Sequence, residues 1–286
     1  MKLNHNEITI VLISHNSKEL VKQFIKNFSK KINFLIIDNS NDLNLKKELG
    51  ALENVEIKFM ENRGYGSAIN FARKFIKTKF FFVFSPDIKK PDDTFIEIFL
   101  KKIMDIGKFA ALGPRFLNVT HKSHKQSNPN HEVGQIDVIS GSAMLFDVKT
   151  FDDIGGFDEN IFLYFEDTDF GKRAKKKGYK IFQINTAKVS HTRGADSGVV
   201  KVNDIYAVNK LENLYTWHFI WSKFYLYKKH YNKLLALIIF IPIIIRILFR
   251  ISLYSIKKNN KKKEKYLNRL EGFLYSVKGM NSSKRL

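Results

Sequence analysis

Four short apolar runs, each ended by a cluster of polar residues, constrain this chain more than any other feature. Ile8–Ile13 runs into Ser14-His15-Asn16-Ser17, and Phe34–Ile37 into Asp38-Asn39-Ser40-Asn41. Val55–Phe59 is followed by Glu61-Asn62-Arg63-Gly64-Tyr65-Gly66, and Phe80–Phe84 by Ser85-Pro86-Asp87. Short runs without polar alternation read as strands buried on both faces. Between them the pattern turns helical: Ser17 stands as N-cap of Lys18–Phe28, where Leu20, Phe24 and Phe28 recur at four-residue spacing, and Ser67–Ile76 reads likewise. Strands alternating with amphipathic helices imply βαβ units and a parallel sheet. In open α/β sheets ligands bind outside the carboxyl ends of the strands. The clusters at Asn16, Asp38–Ser40, Asn62–Gly66 and Ser85–Asp87 therefore converge on one edge, which marks a site.

The middle of the chain is less regular. Residues 118–135 are polar and read as an exposed loop, after which Ile136–Phe146 resumes as a strand containing Ser140-Gly141-Ser142. Gly155-Gly156-Phe157 is a turn, Glu166–Lys177 a helix closed by Gly178, and Tyr179–Ile184 a further strand leading to His191.

From about residue 205 the chain changes character. Residues 201–286 hold 18 Lys and Arg against four Asp and Glu, a net +14 out of the chain's +21. A nucleic-acid binder would spread basic and aromatic residues over one face. Here Trp221, Tyr225, Tyr227, Lys228 and Lys229 instead adjoin Leu234–Ile245, twelve residues without a charge. That neighbourhood favours a bilayer interface, where Trp and Tyr sit at headgroup level, over nucleic acid. A single span needs about 20 apolar residues, and Arg246 and Arg250 interrupt this run. The segment therefore reads as a monotopic or re-entrant anchor, with Lys228, Lys229, Lys233 and the Lys257–Lys265 cluster on anionic lipid. A buried helical hairpin is the alternative. Met1–Glu7 is polar and Ile8–Ile13 too short for a secretory h-region, so no export signal is expected. With no cysteine among 286 residues, a disulfide framework, a thiolate metal site and a cysteine nucleophile are excluded.

Taken in order, these clusters resemble the family 2 inverting glycosyltransferases, particularly the rhamnosyltransferase-like branch. The matching pieces are Ile10–Ser17, Ile36–Ser40, Glu61–Asn70, Ser85–Asp87, Ser140–Met144, Gly155–Glu159, Phe165–Asp169 and His191, covering roughly residues 8–195. The resemblance implies a GT-A fold: a Rossmann-like α/β domain over residues 1–204 with a mixed sheet flanked by helices. Residues 205–286 would form a helical, membrane-associated extension. It implies a nucleotide-diphospho-sugar donor (dTDP-rhamnose or a UDP-sugar), a glycan or lipid-linked acceptor, and a divalent metal, Mn²⁺ or Mg²⁺. The chain would work at the cytoplasmic face of the inner membrane in surface polysaccharide synthesis.

Residue roles follow from the same resemblance. Asn16, Asp38, Asn62, Arg63, Gly64, Asn70, Ser85 and Asp87 would line the nucleotide-sugar site. A carboxylate at Asp38 can accept from a base N–H or a ribose hydroxyl, or it can cap its own turn. Asp87 stands at the last position of an Asp-x-Asp metal signature whose first position is Ser85, so one carboxylate is present rather than two. His191 would be a further metal ligand, and an imidazole favours Mn²⁺ somewhat over Mg²⁺. A structural histidine and a turn aspartate are the plainer roles open to the pair. Asp167 would be the general base, with Glu166 beside it and Gly156, Asp158 and Asp169 on the acceptor side. Acidic residues in a first helical turn also suit the helix macrodipole, and Asp169 has Arg173 four residues on as an ordinary partner. Asn62 and Asn70 can equally hold turns. No Gly-Lys-Ser/Thr follows Gly64-Tyr65-Gly66, which argues against a P-loop. The alternative function, left open by Ser85, is a catalytically degenerate fold retained as a membrane scaffold.

Overall fold

The computed structural model describes residues 3–89, 91–118, 125–191 and 204–285. Contacts divide the chain into two compact units, residues 1–157 with 167–199, and residues 158–166 with 200–286.

In the first unit a nine-stranded sheet forms among the described residues, ordered β3-β2-β1-β4-β8-β6-β9-β5 with β7 also paired to β9. The strands are β1 (Ile8–Ser14), β2 (Asn33–Asp38), β3 (Val55–Phe59), β4 (Phe80–Phe84), β5 (Ile88–Lys89), β6 (Ala111–Phe116), β7 (Val133–Ile136), β8 (Ala143–Asp147) and β9 (Ile181–His191). β1 to β4 are mutually parallel, as βαβ connections require, whereas β8 runs antiparallel to both β4 and β6. The sheet is thus mixed, and the parallel reading holds for one half of it.

Alternation along each strand feeds two apolar layers. Ile10, Leu12, Phe34, Ile36, Phe82 and Phe84 pack on one side with Phe24, Phe95 and Phe99. Val11, Ile13, Leu35, Ile37, Phe81 and Val83 pack on the other with Ile69, Phe146, Phe151 and Phe170. Each fully buried phenylalanine contributes about 1.5–3 kcal/mol by leaving water. The helices supplying these layers are α1 (Lys18–Ile25), α2 (Leu43–Leu49), α3 (Tyr65–Arg73), α4 (Asp93–Ile106), α5 (Val148–Ile154) and α6 (Glu166–Lys176).

Several sequence expectations need correction. Ser17 makes no cap bond; its hydroxyl accepts the His15 N–H at 3.3 Å, and α1 ends at Ile25. The 118–135 stretch is not all loop, because Val133–Ile136 pairs antiparallel with β9; residues 119–124 of it lie outside the described residues. The expected Ile136–Phe146 strand breaks at residues 137–142, where a turn closed by the Ala143 N–H to the Ser140 carbonyl (3.2 Å) carries the chain from the β9 side to β4. The last strand runs on to His191 rather than stopping at Ile184.

The second unit is built on three helices, α7 (Ile205–His230), α8 (Lys233–Ile256) and α9 (Asn260–Val277). Phe224, Phe240 and Phe273, one from each helix, form its aromatic centre with ring centroids 5.1–5.7 Å apart. Gly272 lets α7 and α9 meet closely, since a Cβ there would stand 2.5 Å from the Trp217 carbonyl oxygen. α8 does not stop at the arginines. It runs through both to a length of 24 residues, enough in length and composition to cross a membrane.

Candidate active site

Register fixes the first half of the site. Ser14 pairs with Asp38 at the carboxyl ends of β1 and β2, so the two following turns lie side by side. Asp38 is fully buried, and its carboxylate accepts from the backbone N–H of Ser40 (3.1 Å) and Asp42 (3.0 Å) and from the Ser40 hydroxyl. Ser40 in turn accepts the Asn16 N–H at 3.0 Å, with Asn16 in the left-handed region at φ 52°. His15 Nδ1 lies 2.8 Å from the Asn39 side-chain oxygen, and the Asn39 amide donates to Asn62 at 3.4 Å. Asn62 also accepts the Gly64 N–H at 3.3 Å. Gly64 adopts φ 107°, ψ 167°, a conformation that essentially only glycine supports, and from it α3 begins. Asn16, Asp38, Asn62 and Gly64 are therefore one hydrogen-bonded rim along three strand ends. Arg63 points away from this rim: its side chain is exposed and pairs with Glu61 at 3.2 Å.

The second half gathers where β4 meets β8. Ser85 donates its hydroxyl to Asp87, whose carboxylate is 6% exposed as a residue and lies 3.1 Å from His191 Nε2. β5 pairs with β9 antiparallel, setting Ile88 opposite His191; this brings Asp87 beside a histidine 104 positions away. The other imidazole nitrogen, Nδ1, is buried and has no hydrogen-bond partner among the described residues. Among the described residues no group of three or more His, Cys, Asp or Glu side chains is placed to hold a metal ion. Here the described residues bring together one carboxylate and one imidazole.

Asp167 comes to the same place from α6. Its carboxylate accepts the Gly141 N–H at 3.3 Å, while the Gly141 carbonyl accepts the Tyr65 hydroxyl at 2.7 Å. The next residue, Ser142, gives its carbonyl to the Ser85 N–H at 2.9 Å. Two consecutive residues of one turn thereby tie Asp167 and Tyr65 to Ser85, Asp87 and His191. Glu166 opens α6 and is buried.

Other expected site residues form a separate support. Asn70 donates to and accepts from the Phe157 backbone, both at 2.9 Å. Asp169 is fully buried and pairs at 2.8 Å with Arg173, whose guanidinium also donates to the carbonyls of Ile154 and Gly156. Gly156 sits at φ 60°, and a Cβ there would meet the Asn70 oxygen at 2.6 Å. Asn70, Gly156, Asp169 and Arg173 hold one turn in place. Asp158 belongs to the second unit, where it accepts from Tyr225 (2.9 Å) and Lys229 (2.7 Å). Burial alone would raise its pKa, but the Lys229 ammonium and the Asn160 N–H outweigh it and hold the carboxyl below its usual range.

The polar clusters at the strand ends include His15, Asn39, Ser40 and Tyr65, but the sequence assigns none of them an individual role; that of Tyr65 depends on a partner 76 positions away.

Comparison with known proteins bears on the fold and on the class of protein. A family model described as the N-terminal domain of galactosyltransferase matches residues 121–194. The low-salt glycan biosynthesis hexosyltransferase Agl10 of Haloferax volcanii is 21% identical over 67% of this chain and 69% of its own length. An N-acetylglucosaminyl-diphospho-decaprenol L-rhamnosyltransferase of Mycobacterium tuberculosis is 32% identical over 32% of the chain and 30% of its own length. Among solved structures, the mannosyltransferase PcManGT of Pyrobaculum calidifontis, in complex with GDP-Man and Mn²⁺, superposes with TM-score 0.55 at 12% identity, covering 95% of this chain and 87% of that one. S. aureus TarS 1-349 with UDP-GlcNAc gives TM-score 0.56 at 13% identity over 96% and 92%. Fold and matches together define a nucleotide-sugar-dependent glycosyltransferase of GT-A fold. Within that class the chain shows distant similarity to the archaeal hexosyltransferase and the mycobacterial rhamnosyltransferase.

Proposed function

We propose that this glycosyltransferase inverts the anomeric carbon in a single displacement. The sugar moves from a nucleoside diphosphate, dTDP-rhamnose or a UDP-sugar, to a hydroxyl of a lipid-linked glycan. The observation that supports this reading is the Gly141–Ser142 junction, which donates the Gly141 N–H to Asp167 and, through the Ser142 carbonyl, bonds Ser85, the hydrogen-bond donor to Asp87 of the Asp87–His191 pair. A displacement of this kind needs a base on the acceptor side and charge neutralisation on the leaving side, held in fixed relation.

Asp167 takes the proton of the attacking hydroxyl. Tyr65 and the Gly141 N–H fix the turn on which that carboxylate is oriented. The rim of Asn16, Asp38 and Asn62 receives the nucleoside, with backbone approach opened by Gly64. Asp87 and His191, a buried carboxylate with an imidazole, are the residues that would hold a divalent cation, with Mn²⁺ suiting the imidazole better than Mg²⁺. A cation held there would supply Lewis-acid stabilisation of the departing diphosphate. Association with the cytoplasmic face of a membrane, through the second unit, would bring the enzyme to a lipid-linked acceptor used in envelope polysaccharide assembly.

The test is nucleoside-diphosphate release from dTDP-, UDP- and GDP-sugars in the presence of acceptor lipid, with Mn²⁺, Mg²⁺ or chelator. Asp167→Asn should lower turnover by about 10²–10⁴-fold while donor binding persists. Equal turnover in wild type and Asp167→Asn would remove the assigned base. Unchanged turnover in chelator would remove the metal.

A further inference from the structure

We infer that α8 lies lengthwise in the surface of an anionic membrane, inserted along one face, and does not cross the bilayer. This deepens the membrane association proposed above.

Leu234, Ile238, Ile241, Ile245, Leu248, Phe249 and Ile256 are exposed, and at about 100° per residue they fall in one stripe along the helix. The opposite face is occupied: Ala236, Phe240 and Ile247 are buried. α9 lies alongside over much of that length, with Phe240 stacked on Phe273 and Tyr254 on Tyr266. A crossing α8 would draw α9 into the hydrocarbon with it, including Arg269, whose Nε is already buried without a hydrogen-bond partner among the described residues. α9 also carries Lys261, Lys262, Lys263 and Lys265.

The arginines decide the orientation. Arg246 is the fourteenth of the 24 residues of α8, so in a spanning helix it stands within about 3 Å of the bilayer mid-plane. α8 contains no Asp or Glu. The contacts of Arg250 among the described residues are the Tyr254 hydroxyl at 3.1 Å and the ring below it, not a carboxylate. One such unpaired charge at mid-depth disfavours insertion by about two orders of magnitude. Laid in the surface, the same residues are well placed. Arg246, Arg250 and Lys257 share one border of the apolar stripe and Lys233 stands at the other, so every cation reaches headgroup phosphate while the stripe reaches acyl chain.

The full chain has no cysteine, so single cysteines at the exposed positions Leu234, Ile241, Phe249 and Ile256 can each carry an environment-sensitive fluorophore. They would be read with depth-specific lipid quenchers in phosphatidylcholine vesicles with and without phosphatidylglycerol. The expected result is one common shallow depth for all four, with binding at least tenfold weaker without the anionic lipid or in Arg246→Ala/Arg250→Ala. A graded profile, Leu234 and Ile256 at opposite interfaces and the middle positions deepest, would overturn the in-plane placement. So would absence of binding to either vesicle. Neither outcome touches the transferase reading, which rests on nucleoside-diphosphate release and the Asp167→Asn comparison.

Discussion

Gly156 shows how single residues hold a turn of the first unit in place. Its left-handed backbone and the 2.6 Å approach of the Asn70 oxygen both exclude a side chain. Gly156→Ala should therefore lower stability by about 1–3 kcal/mol, read as a fall in the denaturant midpoint. An unchanged midpoint would mean that the turn relaxes freely. Asp38 is subtler. The carboxylate that the resemblance gives to the nucleoside already accepts from the backbone of its own turn, so the two roles are compatible: the turn orients the oxygen that the base or ribose would meet. Residue type alone identifies such carboxylates, whereas Tyr65 and Asn39 read as unremarkable polar residues because their partners come from distant strands.

At the scale of elements, α6 does two tasks on two faces. Asp167 faces the Gly141 turn, and Asp169 is buried against Arg173 on the same helix. Removing Arg173 leaves a buried carboxylate without its cation and frees the carbonyls of Ile154 and Gly156. Arg173→Ala should cost about 3–5 kcal/mol, and Arg173→Ala with Asp169→Leu should recover part of that in equilibrium unfolding. Equal losses in the single and double variants would show that the charge pair is not the source. The i, i+4 spacing of this pair was readable in the sequence, and so was α6 itself. β7 was not: Val133-Gly134-Gln135-Ile136 has little apolar pattern, and its strand state comes from pairing with β9. The extent of α8 was cut short for the opposite reason. Charge ends an apolar run, but arginine is a good helix former, and the backbone ladder continues through it.

On the scale of the whole molecule, the second unit carries its own pH response. His218 is fully buried in α7, with Nδ1 2.9 Å from the Ser282 hydroxyl and Nε2 2.9 Å from the Lys284 carbonyl. A carbonyl only accepts, so Nε2 carries the proton and Nδ1 accepts from serine. Burial, reinforced by the charges of Arg285 and Lys284, lowers the His218 pKa to about 4. The unfolded chain therefore binds a proton between pH 6.5 and 4 that the folded unit does not. Stability is complete above pH 6.5 and declines as pH falls, by about 3 kcal/mol once pH 4 is passed. Hydrogen exchange of α7 and α9 across that range should show the loss, and His218→Asn should flatten it. The parallel half of the sheet, β1 to β4, was legible because strand ends announce themselves as polar stops. The junction of the two halves was not, because it is made by backbone groups, and these are the same in every residue.

That junction has a mechanical meaning. Asp167 hangs from the amide of Gly141 and Ser85 from the carbonyl of Ser142, so on the function proposed above the acceptor-side base and the leaving-group side would take their separation from one two-residue stretch of backbone. The span between them cannot be retuned from one side alone. On that reading, sugar preference in this chain would be set by the walls around the gap and not by its width.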